Sequence, residues 1–123
     1  MPYSPDKERL AWAAGFFDGE GSAHACYSYV RKSDGGTRAY PQVSISQSGD
    51  LGREPLDKFN AAVGGIGKIY GPYPPAKNQR KVRYMWEASG FEKTQAIMAM
   101  LWGHLGTEKR NKFNSVLRAA GGG

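Results

Sequence analysis

The sequence predicts an α+β domain in the order αββαββα, followed by a further C-terminal helix. Three observations carry that prediction. A helix-patterned stretch ends in two acidic residues set among glycines, Phe17-Asp18-Gly19-Glu20-Gly21. Two segments then alternate polar and apolar residues about a glycine-rich turn, the pattern of a β-hairpin. After a second helix-patterned stretch the alternation returns as another hairpin. Two hairpins make one four-stranded antiparallel sheet, with helices on one face and a polar, basic second face.

Ser4-Pro5-Asp6 reads as the start of the first helix: serine at the N-cap, proline at the first helical position and an acid at the positive end of the dipole. Leu10, Trp12, Ala13 and Phe16 follow. Ala11, Gly15 and Gly19 recur every four residues, so they share one face with almost no side chains on it. Glycine inside a helix costs about 1 kcal/mol relative to alanine, so this spacing points to a second helix backbone in close approach, the plainer alternative being an ordinary helix C-cap running into a turn.

Strand character runs from Ser22 to Lys32, turns at Ser33-Asp34-Gly35-Gly36-Thr37, and returns from Arg38 to Gln47. On the return strand Ala39, Pro41, Val43 and Ile45 share one side, and Arg38, Tyr40, Gln42, Ser44 and Ser46 share the other. The second set is either simply the solvated side of a strand or, as neutral donors and acceptors with a terminal arginine, the kind that can read base edges. Ser22, His24, Cys26, Ser28 and Lys32 are assigned to the same surface. His24 is there either as a base or phosphate contact or as an ordinary exposed histidine, and Cys26 faces either that surface or the core.

Arg53 to Val63 reads as a helix with Leu56, Phe59 and Val63 inward, stopped by Gly64-Gly65. The following Ile66-Gly67-Lys68 does not complete a phosphate loop, because the spacing is wrong and Ile69 stands where a hydroxyl residue is required. A short strand, Gly67 to Tyr70, explains it better. Pro72, Pro74, Pro75 and Asn78 predict an exposed loop, and Lys77, Arg80, Lys81 and Arg83 load its exit with positive charge. Val82, Tyr84 and Trp86 then point inward, while Lys81, Arg83 and Met85 point outward beside Lys68 and Tyr70. Gly90 to Leu105 predicts a helix with Ile97, Leu101, Trp102 and Leu105 inward and Met98 and Met100 as core filler. Thr107 opens the last helix, with Phe113, Val116 and Leu117 inward. Residues 1–120 form one expected domain, and 121–123 an expected disordered glycine tail.

Lysine and arginine outnumber aspartate and glutamate by 17 to 11, a net charge of +6, and the pI near 9.6 favours a polyanionic partner. A single cysteine excludes an internal disulfide, and with only two histidines beside it a structural zinc site has too few ligands. No apolar run approaches the roughly 20 residues that span a bilayer, and Met1-Pro2-Tyr3-Ser4 lacks a signal-peptide core. The expectation is a soluble, intracellular protein without a membrane partner.

Ala13-Ala14-Gly15-Phe16-Phe17-Asp18-Gly19-Glu20-Gly21 resembles the signature of the LAGLIDADG homing endonucleases, with alanine for the first leucine and glutamate for the second aspartate. Val43-Ser44-Ile45-Ser46-Gln47, Gly67-Lys68-Ile69-Tyr70 and the segment from Leu105 to Lys112 are similar to further parts of that family's core, so the resemblance covers roughly Leu10 to Leu117. It implies a site-specific endonuclease that hydrolyses one phosphodiester bond per strand of a long, partly palindromic double-stranded DNA site. With a single motif, the chain would pair as a homodimer through Ala11, Gly15 and Gly19. The resemblance also implies Mg²⁺, or another hard cation such as Mn²⁺ or Ca²⁺, held by Glu20 and the Gly19 carbonyl. Gln47 would position water and Lys109 would stabilise the phosphate. DNA would be bound by His24, Ser28, Lys32, Arg38, Tyr40, Gln42, Ser44, Lys68, Tyr70, Lys81 and Arg83. Asp18 stays outside the catalytic set, as a helix cap or a support for Glu20. Arg53 is the only basic residue near the place where the family often carries one after the Gln47 position.

Plainer roles exist for the same residues: Glu20 as a solvent-facing turn residue, Gln47 as a strand end, Lys109 as part of a charged helix face with Arg110 and Lys112. The same sheet without catalysis would serve a non-cleaving binder, such as an intron RNA maturase or a DNA-binding relic. A dimeric interaction module using only the glycine-lined helix is a third class.

Overall fold

The computed structural model describes residues 6–29, 37–75, 77–78 and 80–121, without the side chains of Ser28, Tyr29, Thr37, Arg38 and Gly121. In chain order the elements are α1 (Lys7–Glu20), β1 (Gly21–Tyr29), β2 (Thr37–Ser48), α2 (Arg53–Ala62), β3 (Lys68–Tyr73), β4 (Arg83–Ser89), α3 (Phe91–Leu101), a 3₁₀ turn at Trp102–His104 and α4 (Thr107–Gly121). The predicted α+β order is therefore present in full. All strand pairs are antiparallel and the sheet runs β1-β2-β4-β3, so the two hairpins join through β2 and β4.

Cross-strand register separates the two faces. Ala23, Val43 and Ala88 stand opposite one another across β1, β2 and β4, as do Ile45 and Trp86 across β2 and β4. All five are buried. The helices cover this face with Leu10, Ala13, Ala14 and Phe17 of α1, Leu56, Phe59 and Ala62 of α2, Ile97 and Leu101 of α3, and Phe113 and Val116 of α4. Phe17 is the hub. Its ring lies 5.4 Å from that of Phe113 and 6.3 Å from that of Phe59, which meets Trp86 edge-on at 4.7 Å. Cutting Phe17 back to alanine would cost about 3–5 kcal/mol. Asn60 anchors the indole by accepting from Trp86 Nε1 at 2.9 Å, and its Oδ1 also accepts the Gly67 N–H at 3.0 Å.

Several boundaries differ from expectation. Asp6 is the N-cap of α1, accepting from the Glu8 and Arg9 amides, rather than an acid inside the first turn. Ser4 and Pro5 lie outside the described residues. β3 runs past Tyr70 to Tyr73, carrying Pro72, which was expected in a loop, with an irregularity in pairing between Tyr70 and Tyr73. An edge strand tolerates proline, since one side of its backbone has no ladder to feed. β4 starts at Arg83, which leaves Lys81 two residues ahead of it. The helix expected to reach Leu105 stops at Leu101, where the chain tightens into the 3₁₀ turn and the Leu105 N–H takes the Trp102 carbonyl. α4 includes Gly121, one residue into the expected tail; Gly122 and Gly123, like the turn at 33–36, lie outside the described residues.

Among the described residues no helix is long and apolar enough to cross a membrane.

Candidate nucleic-acid interface and acidic turn

The outer face of the sheet follows from the same register. Ser22, His24 and Cys26 of β1 stand opposite Ser44, Gln42 and Tyr40 of β2. Ser44 and Gln42 in turn stand opposite Glu87 and Ser89 of β4, and Glu87 and Met85 stand opposite Lys68 and Tyr70 of β3. With Arg83 at the start of β4, this places His24, Tyr40, Gln42, Ser44, Lys68, Tyr70 and Arg83 on one continuous surface. The backbones of Ser28 and Arg38 pair at its far end, but their side chains, and all of Lys32, lie outside what is described. Lys81 is exposed beside this surface, in a hollow with Arg80, Ser48, Gly49 and Asp50.

Hydrogen bonds stiffen the middle of that surface. Gln42 Oε1 lies 2.7 Å from His24 Nε2 and accepts from Cys26 Sγ at 3.4 Å, while Gln42 Nε2 donates to Ser89 Oγ at 2.9 Å. One glutamine thus ties three strands together. A carboxamide oxygen only accepts, so His24 Nε2 carries the proton here and a neutral ring offers Nδ1 as an acceptor. Cys26 therefore faces the outer surface and not the core. Tyr40 has its phenol raised above the ordinary value, first by the charge and hydrogen bond of Cys26, then by desolvation, then by Glu87. It stays a neutral donor around neutral pH. The Arg83 guanidinium sits 5.5 Å from the centre of the Tyr73 ring.

Glu87 and Ser89 were missed as members of this face. The signal was present: with Trp86 inward, alternation sends both outward. Glu87 directly opposite Lys68 makes the centre of the face mixed in charge, with the basic groups towards its margins.

At the end of α1 the chain turns straight into β1. Gly21 is the C-cap, its N–H bonded to the Phe17 carbonyl, and a Cβ there would strike the Phe17 ring. Only glycine lets the strand leave so close to the helix. Glu20 is exposed, and Ala11, Gly15 and Gly19 form a bare, exposed stripe up the same helix, with open space where a Cβ at either glycine would stand. Carboxylates are disfavoured at the negative end of a helix dipole by about 0.3–1 kcal/mol each, and the last turn of α1 carries no basic residue of its own.

Compensation arrives from 88 residues away. Lys109 Nζ, half-buried, donates to the Gly21 carbonyl at 2.8 Å, and the Asp18 carboxylate accepts the Gly106 N–H at 3.0 and 3.1 Å. Asp18 therefore caps α4, not its own helix. Gln47 shares the side of β2 that carries Val43 and Ile45, two residues beyond the Ile45 that faces Gly21, and its amide donates to the Ser46 carbonyl at 2.8 Å. β2 overshoots the junction of α1 and β1, leaving Gln47 at the margin of the same turn. Arg53, exposed in the first turn of α2, is paired with Asp57 at 3.6 Å.

This element order, with a bare-faced helix running into an acidic turn and a sheet in the order β1-β2-β4-β3, is the fold of the LAGLIDADG homing endonucleases. Among its solved neighbours are I-CvuI in complex with uncleaved target DNA in the presence of Mg, an archaeal intron-encoded homing endonuclease complexed with DNA, and I-TnaI. I-CvuI is 19% identical with a TM-score of 0.72, over 91% of this chain and 65% of its own. For the archaeal enzyme the values are 24%, 0.69, 94% and 69%, and for I-TnaI 21%, 0.70, 96% and 71%. The chain thus spans just under two thirds of I-CvuI. No protein-family model and no curated protein sequence matches it.

Proposed function

We propose that the chain is the single-motif subunit of a homodimeric, site-specific DNA endonuclease of the LAGLIDADG family. The observation that carries this reading is the meeting of three features at one turn: an open carboxylate at Glu20, a cation at Lys109 held beside it through Gly21, and a side-chain-free helix stripe leading up from them. Two copies paired along Ala11, Gly15 and Gly19 bring two such turns together at a twofold axis. Each sheet then lies in the major groove of double-stranded DNA, with Lys68, Lys81 and Arg83 on phosphates and His24, Tyr40, Gln42 and Ser44 towards base edges. That I-CvuI and the archaeal enzyme form complexes with DNA supports DNA as the partner.

The donor chemistry of the turn fits a hard divalent cation. Asp18 is engaged by α4, so Glu20 is the carboxylate left open, and the Gly19 carbonyl adds a second oxygen ligand at the negative end of α1. Among the described residues no group of three or more His, Cys, Asp and Glu surrounds one point, so one chain supplies only part of a coordination shell. Phosphate oxygens, water and the second copy complete it. I-CvuI complexes with Mg and with Ca are consistent with this. When bound, Mg²⁺ would favour hydroxide over water and offset charge on the scissile phosphate. Lys109 places a fixed positive charge towards the same phosphate. Gln47, with both an amide donor and an acceptor, orients water at the margin of the turn.

The test is a cleavage selection on a randomised double-stranded DNA library with Mg²⁺, run beside Glu20→Gln and beside chelated metal. Cut ends sharing a partly palindromic sequence, seen only with metal and Glu20, are expected. Retention of a specific duplex without cutting would replace the reading by a non-cleaving binder.

A further inference from the structure

We propose that Asp18 is a positioning residue for Lys109: it fixes the first turn of α4, and thereby holds the lysine at the acidic turn. This rests on the nuclease reading for its catalytic consequence, while the clasp itself stands on the hydrogen bonds alone. The N-cap position of α4 is Gly106, whose carbonyl accepts the Arg110 N–H at 3.1 Å and which has no side chain to cap the helix. N-terminal amides left open are normally satisfied by a Ser, Thr, Asp or Asn at that position. Asp18 instead reaches in from another helix and accepts, with both carboxylate oxygens, the N–H of Gly106 itself, the amide that a capping-box acid three residues on would take and that Lys109, standing there, cannot.

The charges explain why the arrangement holds. At the C-terminus of α1 the Asp18 carboxylate opposes the dipole of its own helix, and at the N-terminus of α4 it complements the dipole of the other. The return bond runs the opposite way, from Lys109 Nζ one turn into α4 back to the Gly21 carbonyl just past α1. Two bonds, each between residues 88 apart, thus clasp the start of α4 to the end of α1. A lysine has a long flexible stem and gains no direction from its own geometry. Its ammonium reaches the Gly21 carbonyl only while the backbone that carries it stays in place, and that backbone is what Asp18 secures.

The experiment crosses Asp18→Ala and Asp18→Asn with Lys109→Met, using the duplex recovered from the selection above and single-turnover cutting at saturating protein. Asp18→Ala is expected to slow cutting on the order of ten- to a hundredfold, as an ångström-scale misplacement does, with DNA affinity unchanged. Asp18→Asn keeps an oxygen for the Gly106 N–H and is expected to recover most of the rate. Adding Asp18→Ala to Lys109→Met should cost nothing more. Independently of DNA, the ¹⁵N-labelled side-chain ammonium resonance of Lys109 should be sharp in the parent and in Asp18→Asn, and broadened in Asp18→Ala. An additive loss in the double variant would make Asp18 an independent participant and overturn the proposal, as would a Lys109 resonance indifferent to Asp18→Ala. If no duplex is cut by the parent protein the nuclease reading fails, and the resonance still decides the clasp.

Discussion

The outer face of the sheet and the foot of α1 are built on different principles. On the sheet, neighbours in space follow from strand register, and functional groups are spread over four strands. At the foot of α1, a few groups meet through bonds that span most of the chain, and they interlock: Asp18 with Gly106, Lys109 with Gly21, the Gly21 backbone against Phe17. Distributed recognition tolerates loss; a convergent site does not. The comparison predicts steep, specific failures at the foot and shallow, graded ones on the sheet.

Glu20→Gln is the largest expected effect. It preserves shape and removes the open charge, so cutting should fall by more than about a hundredfold with DNA affinity kept, since metal-held groups contribute several kcal/mol to such reactions. Cleavage at the parent rate would remove Glu20 from the site. Next comes Gly15→Leu. Nothing lies within 4 Å of a Cβ there, so the single chain should fold as before and gain up to about 1 kcal/mol in helix propensity. A second copy, however, could no longer approach the stripe. Sedimentation should find dimers in the parent and monomers in the variant; a dimer that survives the leucine would place the interface elsewhere.

How much of each region the sequence disclosed follows the same division. Period-two alternation over Ala39 to Ser46 sorted the sheet faces correctly, and the heptad-like spacing of Leu56, Phe59 and Val63 found α2, because both are local patterns. Element ends were less legible: β3 continues through Pro72 because it is an edge strand, which no local pattern reveals. At the foot, spacing alone exposed only the stripe Ala11, Gly15 and Gly19. Glu20 and Lys109 came from resemblance, and the role of Asp18 came from neither, since its partner is a backbone amide of a glycine in a distant segment. The charge of the sheet face was overread as well, because counting Lys68, Lys81 and Arg83 passed over Glu87 lying among them.

The sheet supplies the smaller effects. Arg83→Ala should weaken DNA binding by about tenfold or less and lower the slope of log affinity against log salt by about one, if the guanidinium meets a phosphate as its exposed, marginal position suggests. A loss comparable to the Glu20 effect would break the distinction between the two regions. Unchanged affinity would take Arg83 off the interface.

The smallest effect concerns Cys26 and Tyr40, a cross-strand pair whose coupling is local and mild. The charge of Cys26 opposes ionisation of the neighbouring phenol, and its side chain also engages the neutral phenol by a hydrogen bond. Both act to raise the Tyr40 pKa, so Cys26→Ala should move the phenol back down towards its ordinary value of 10.0, read from phenolate absorbance against pH. At neutral pH the phenol is protonated in either protein, so DNA affinity should not change. A titration that stays raised in the variant would leave desolvation and Glu87 as the cause, and the pair would then be neighbours by register without being coupled in chemistry.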